Sequence, residues 1–189
     1  NGVIGAIRRR PEEIAGWPSL QRIPHPVDLS PEQREQYELE WQNFLRTLQG
    51  LPPNRRRSPD GGIAALTRFR QKASLLRVPD TVDFANDLLE EGHQVAISCQ
   101  WIGSVKAIKE ALEKDGVDVV TFTGEDEDRE DNRKRFQTGQ AQVIIFTVEE
   151  GINLQQGEIL DIDKPRAQID HDIRWSAISM KQIDHRCHR

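Results

Sequence analysis

The hydrophobic positions of the chain change their spacing near residue 93, and this change separates two kinds of predicted element. Between residues 31 and 89, apolar side chains recur at helical spacing. The segment Ser30-Pro31-Glu32-Gln33 has the signature of a helix start, because serine caps, proline suits the first helical position and glutamine can close a capping box. We predict helices that begin at Pro31 and end at Gly50, and that span residues 63–76 and 82–89 with a break at Pro79.

Beyond residue 93, short apolar runs alternate with helical patterns. We predict strands over residues 95–97, 117–122, 143–146 and 169–173. The helical patterns between them cover residues 105–112 and 127–136. Short strands that alternate with helices favour right-handed crossovers and a parallel sheet covered on both faces, so the predicted fold class is α/β.

The first thirty residues are rich in proline, and residues 54–62 form a basic stretch rich in proline and glycine. We place a boundary at the second of these. Residues 1–62 are then a linker with a helical appendage, and residues 63–189 form the α/β domain.

The composition limits the class of protein. The 189 residues are 36% hydrophobic and 30% charged, no apolar run approaches the ~20 residues that span a bilayer, and no signal segment opens the sequence. The two cysteines lie far apart and form no disulfide framework, so we expect a reducing cytoplasmic setting, or the nucleus or nucleoid for a chromatin-type protein. The sequence begins with Asn1, and we expect it to be part of a longer protein. No membrane association is expected.

The net charge of -5 argues against a purely electrostatic nucleic-acid binder. The basic residues are nevertheless clustered, and local clusters can bind phosphate where the whole molecule cannot. The clusters are residues 8–10, 55–57 and 133–135.

In parallel sheets, ligands gather at the loops beyond the carboxyl ends of the strands. Here these loops begin at residues 98–101, at Thr123-Gly124 and at residues 147–154. Each is polar or contains glycine, which makes this edge the candidate binding surface.

Two segments carry a resemblance to a known family. Residues 147–154, Thr-Val-Glu-Glu-Gly-Ile-Asn-Leu, follow a predicted strand, and residues 182–189, Gln-Ile-Asp-His-Arg-Cys-His-Arg, come last. They resemble motifs V and VI of superfamily 2 helicases, particularly the Swi/Snf-like branch, where a tryptophan precedes the glutamine by seven positions, as Trp175 precedes Gln182. Blocks that resemble other family motifs occur in the right order at residues 7–10, 29–37, 95–101 and 124–136. Residues 156–166 resemble an insertion.

The resemblance implies a C-terminal RecA-like motor lobe, and it implies roles for particular residues. Arg186 and Arg189 would be arginine fingers, which stabilise the charge that develops on the terminal phosphate of ATP. Gly151 would let backbone approach the nucleotide, and Gln182 would position the nucleotide or couple the lobes. Hydroxyls or backbone amides would contact nucleic-acid phosphates at Ser98, Thr123 and Thr147.

The chain contains no G-x-x-x-x-G-K-[ST] motif, so it lacks the phosphate-binding loop of an ATPase. The acidic residues 126–128 are interpreted as helix-N-terminal acids favoured by the helix dipole rather than as magnesium ligands. ATP and Mg²⁺ are therefore expected on a preceding lobe, which would be the partner of this chain. The other expected partner is nucleic acid, with DNA, and duplex DNA in particular, favoured.

Other interpretations remain open. Arg186 and Arg189 could form surface ion pairs, and the chain could be a non-catalytic nucleic-acid-binding module with a helicase-like fold. A Rossmann-like enzyme is poorly supported because no G-x-G-x-x-G occurs.

A metal site is also poorly supported. His185, Cys187 and His188, with His171, lack the spacing of four zinc ligands, so no metal is predicted. Cys99 is predicted to be a small core residue, and Trp175 a packing anchor.

Overall fold

Four strands form one parallel sheet in the part of the chain that the structure describes. The structure is a computed structural model that describes residues 22–147, 152–154 and 164–183. Its strands are β1 (Gln94–Ser98), β2 (Val119–Phe122), β3 (Val143–Phe146) and β4 (Arg166–Asp170). Its α-helices are α1 (Pro31–Gly50), α2 (Ala64–Leu76), α3 (Val78–Glu90), α4 (Ile102–Lys114), α5 (Arg129–Gln137) and α6 (Ala177–Ile183).

The strand order is β2-β3-β1-β4, so the two central strands are β3 and β1. Both are entirely buried, and β3 and the centre of β1, residues 95–97, are apolar runs, as in strands covered on both faces. One face packs Val95 and Ile97 against α3 and α4, and the other packs Ala96 against a cluster that contains Phe136 of α5. The predicted α/β fold, with a parallel sheet between helices, is confirmed.

The predicted position of β4 was wrong by three residues, because the strand covers Arg166–Asp170 rather than residues 169–173. A charged residue opens it. The Arg166 guanidinium lies 4.9 Å from the ring centroid of Phe136 and donates to the side-chain oxygen of Gln94 at 3.2 Å. These contacts let an arginine enter a strand, so Arg166 is part of the fold rather than of an insertion. Residues 155–163 lie outside the described residues.

The predicted start of α1 is confirmed. The Ser30 side chain accepts from the Gln33 amide at 3.2 Å, and the Gln33 side chain accepts from the Ser30 amide at 2.7 Å, which closes the capping box. The Gln33 side chain also donates to the Leu76 carbonyl at 2.9 Å, which ties the start of α1 to the end of α2. Along the same interface, Trp41 meets the ring of Phe69 at a centroid distance of 5.4 Å. The appendage therefore packs directly on the α/β domain.

The basic stretch after α1 is an ordered connection rather than an open loop. It contains a 3-10 turn at Pro53–Arg55 and a π-helical turn at Pro59–Ile63. Arg56 donates to the Leu51 carbonyl at 3.1 Å, which satisfies an end of α1. A Cβ on Gly62 would lie 1.7 Å from the Arg56 carbonyl oxygen, so this close approach requires glycine.

The break predicted at Pro79 is an immediate transition from α2 to α3, in which Pro79 lies in the first turn of α3. Among the described helices, none combines the length and the apolar character needed to cross a membrane.

Candidate nucleic-acid interface at the carboxyl edge of the sheet

The parallel register brings the three predicted phosphate-contacting residues to one edge of the sheet. Ser98 is the last residue of β1 and pairs with Phe146 of β3, while Thr147 and Thr123 directly follow β3 and β2. The Thr147 amide donates to the Phe122 carbonyl at 3.3 Å, which continues the sheet past the strand ends. Ser98 and Thr123 are buried and Thr147 is half-buried. The geometry brings the three together; their contact with nucleic acid stays a prediction.

Thr123 is held by a carboxylate within the same turn. Its amide and its hydroxyl both donate to Asp126 at 2.7 Å, and the Thr121 hydroxyl donates to the same carboxylate at 2.8 Å. Burial acts to raise the pKa of Asp126, but these hydrogen bonds outweigh it and the net pKa lies below its ordinary value. Asp126 therefore stays ionised and closes the turn, and a phosphate at Thr123 would have to replace its bonds.

Arg174 lies where the ends of β1 and β3 meet, and its side chain is only 7% exposed. One terminal nitrogen, Nη2, donates to the Cys99 carbonyl at 2.7 Å, to the Thr147 carbonyl at 3.3 Å and to the Ser98 hydroxyl at 3.5 Å. A buried guanidinium is stable only when it is hydrogen-bonded. Arg174 thus joins the two central strand ends, and the sequence does not predict this because nothing in the residues around Arg174 marks it as buried.

A buried carboxylate holds the loop after β1. Asp172 accepts from the Gln100 amide at 2.8 Å and from the Arg77 guanidinium at 2.9 Å. Its side chain is almost fully buried, while that of Arg77 is about one-third exposed. The ion pair connects the carboxyl end of β4 to the end of α2. The bond from the Gln100 amide to Asp172 fixes the connection between β1 and α4.

His171 fills the space between β4 and the helices that cover it. Its Nε2 lies 3.1 Å from the Ser74 carbonyl, which can only accept, so Nε2 carries the proton. Its Nδ1 then accepts from the Thr81 hydroxyl at 2.7 Å. Burial lowers the pKa of His171, and the nearby carboxylate of Asp172 only partly opposes this. Both ring nitrogens are engaged by protein groups, so His171 has no nitrogen to offer a metal in this arrangement.

Trp175 is not the packing anchor that the sequence predicted, because it is 58% exposed. Its ring is covered by the guanidinium of Arg70, which lies 4.3 Å from the ring centroid. Arg70 also donates to the Gln100 side chain at 3.2 Å and to the Ile173 carbonyl. Ile173 and Ile178 are exposed beside it, so this edge presents an aromatic, cationic and apolar surface to its surroundings.

Cys99 follows β1 and is completely buried in the core cluster, as the sequence predicted. Burial raises the pKa of its thiol above the ordinary value, which keeps the group protonated and unreactive.

Several predicted residues lie outside the described residues. These are Gly151, Arg186, Arg189, His185, Cys187 and His188. The backbone of Gln182 belongs to α6, and its side chain is not described.

The family of the chain follows from its match to a protein-family model. Residues 80–189 match the helicase conserved C-terminal domain. The chain belongs to this family. The match covers the sheet, the strand-end loops and α6, and the prediction of a C-terminal RecA-like helicase lobe is confirmed.

Solved structures agree with this family in fold. The SWI2/SNF2 ATPase core domain of Sulfolobus solfataricus has a TM-score of 0.63 and 21% identity, over 84% of this chain and 35% of that chain. A structure of the same core in complex with dsDNA has a TM-score of 0.54 and 22% identity, over 67% of this chain and 31% of that chain. This helicase C-terminal domain therefore spans about a third of the length of the structures it matches. A comparison with curated protein sequences gave no match.

Proposed function

We propose that the chain is the second motor lobe of an ATP-dependent DNA translocase. The observation that carries this proposal is the carboxyl edge of the sheet, where Ser98, Thr123 and Thr147 follow adjacent strands. Edges of this kind bind ligands in open parallel sheets. In this lobe the ligand is the sugar-phosphate backbone, and the residues grip it without reading its sequence.

The ATP chemistry is shared with a preceding lobe. That lobe binds ATP and Mg²⁺ through its own phosphate-binding loop, while Arg186 and Arg189 reach the terminal phosphate from this lobe. An arginine supports the reaction because its planar fork stays charged and donates two parallel hydrogen bonds to phosphate oxygens. In this proposal the backbone at Gly151 approaches the nucleotide closely, and Gln182 positions the nucleotide or couples the lobes. The chain alone, lacking a phosphate-binding loop, hydrolyses no ATP.

Duplex DNA is the proposed track. The Sulfolobus solfataricus core that shares this fold has been solved in complex with dsDNA, which supports the assignment. A motor that follows phosphates needs few base contacts, so binding is nearly independent of sequence and weakens as salt rises.

The test compares nucleic acids as activators of the complete motor, with the preceding lobe present. We expect duplex DNA to stimulate ATP turnover more than single-stranded DNA of matched phosphate concentration, with no strand separation. RNA duplex of the same length is the control for backbone chemistry. Stronger stimulation by single strands, together with unwinding, would assign the protein to the strand-separating helicases. Binding without any stimulation would instead favour a non-catalytic nucleic-acid-binding module.

A further inference from the structure

Arg174 connects three parts of the carboxyl edge through its side chain and its backbone. The guanidinium Nη2 bridges the carbonyls of Cys99 and Thr147, at 2.7 and 3.3 Å. The backbone amide of the same residue donates to the sulfur of Met180, in α6, at 3.1 Å. One residue therefore links the ends of β1 and β3 to the helix that follows.

The two carbonyls lie just past the strand ladder that the described residues form. Cys99 follows Ser98, and Thr147 follows Phe146, the last paired residues of β1 and β3. Because Nη2 serves both carbonyls from a buried position, a displacement of either loop must move the guanidinium or break one of its bonds. Such a displacement would then shift the backbone of residue 174, which lies three residues before the start of α6.

The helix α6 precedes the predicted arginine fingers in the sequence. It ends at Ile183, and Arg186 and Arg189 follow three and six positions later in the sequence. Ile183 is fully buried in the core cluster on the α5 side of the sheet, so the end of α6 is anchored. The start of α6, near Arg174, is the end that can respond to the strand-end loops.

We propose that Arg174 is a positioning residue that couples nucleic-acid binding at the ends of β1 and β3 to the placement of α6. This inference rests on the proposed motor function. It specifies how the binding of a nucleic-acid phosphate would raise ATP turnover, namely through Arg174 and α6. Arg174 itself is too buried to touch either substrate, and it acts through Ser98, Thr147 and α6.

The experiment uses the complete motor and the variant Arg174→Lys. Lysine keeps the positive charge, but its side chain is one bond shorter than that of arginine, so its ammonium cannot lie where Nη2 reaches both carbonyls. We expect the stimulation of ATP turnover by duplex DNA, measured as the ratio of rates with and without DNA, to fall roughly tenfold. The dissociation constant for DNA should change by less than about threefold, which is below the usual range of a coupling effect. Arg174→Gln, which keeps one donor, is measured alongside and decides the question if the lysine variant does not fold.

The matched control is Arg166→Lys. Arg166 is also an arginine that donates to several backbone carbonyls, including that of Gln137 at 3.1 Å, but it lies at the amino end of the sheet. Its replacement should lower the melting temperature and keep the stimulation ratio within about twofold of the wild type.

The outcomes are separable. A wild-type motor that duplex DNA does not stimulate would refute the proposed function itself. With a stimulated wild type, three results overturn the role of Arg174: an unchanged ratio in its variants, a loss of DNA affinity in proportion to the loss of stimulation, or an equal loss in Arg166→Lys.

Discussion

The histidine after β4 is a fixed, neutral part of the structure. His171 donates through Nε2 to the Ser74 carbonyl and accepts at Nδ1 from Thr81, so protonation of Nδ1 would place a charge in a buried site and would require the Thr81 hydroxyl to turn from donor to acceptor. The Ser74 hydroxyl continues the network to Ser104 at 2.7 Å, which joins α2 to α4. A proton on His171 would therefore disturb the packing of three helices against the end of β4.

The pH dependence of stability should report this arrangement. Because the pKa of His171 in the folded chain lies below the ordinary 6.5, the unfolded chain takes up the proton first as the pH falls. The stabilisation that depends on a neutral His171 is complete above about pH 6.5. It is lost as the pH falls toward the pKa of His171 in the folded chain, with a slope of at most about 1.4 kcal/mol per pH unit. The free energy of unfolding in urea, measured between about pH 7.5 and about pH 5, should fall more steeply in the wild type than in His171→Gln.

The control for this measurement is His93→Gln, since His93 precedes β1 at the opposite end of the sheet. The pH profile of this variant is measured beside those of the wild type and of His171→Gln. Parallel profiles for all three proteins would show that His171 does not titrate differently in the folded and unfolded chains.

At the scale of elements, α1 is held to the domain from one side. None of its residues is buried, and its contacts with α2 include the aromatic interface with Phe69, the hydrogen bond from Gln33 to the Leu76 carbonyl and the ion pair between Glu40 and Lys72 at 2.6 Å. Gln33 thus has two functions, since its oxygen caps α1 and its nitrogen closes the last turn of α2.

The capping box and the contact between the helices can be tested by separate substitutions. Ser30→Ala removes the hydroxyl that accepts from the Gln33 amide and should lower the free energy of unfolding by about 1 kcal/mol. Gln33→Glu keeps an oxygen for the Ser30 amide but places a carboxylate against the Leu76 carbonyl, and it should cost about 1–2 kcal/mol. Gln36→Glu, exposed one turn later, is the charge-matched control. Urea unfolding gives all three values, and a Gln33→Glu variant as stable as Gln36→Glu would rule out the contact between the helices.

The elements differ in how far the sequence could predict them. The centre of β1 and the whole of β3 are apolar runs, and the positions of both strands were predicted to within a residue. The prediction for β4 failed because polar residues alternate with apolar ones along this strand. The hydrogen bonds of these polar residues come from partners far away in the sequence, as Gln94 accepts from Arg166. The assembly of Ser98, Thr123 and Thr147 at one edge follows from parallel pairing alone, so it could be predicted. The bridge made by Arg174 could not, since it spans 75 residues to Cys99 and 27 to Thr147.

At the scale of the whole molecule, both faces of the sheet are covered by helices, and the carboxyl edge is left for function. This edge holds the strand-end hydroxyls, the buried Arg174 and the exposed Trp175 with Arg70 above it. The family match extends across it to Arg189. With a net charge of -5, DNA binding would have to rely on local positive groups rather than on the charge of the whole chain.

Whether this lobe completes an ATP site can be measured with Arg186→Lys and Arg189→Lys in the complete motor. ATP turnover at saturating duplex DNA is measured beside the affinity for ATP. Because lysine keeps the charge but loses the fork geometry, turnover should fall by at least about a hundredfold while ATP still binds with an affinity near that of the wild type. Turnover near the wild-type rate in both variants would contradict the claim, and it would reduce the two arginines to surface ion pairs.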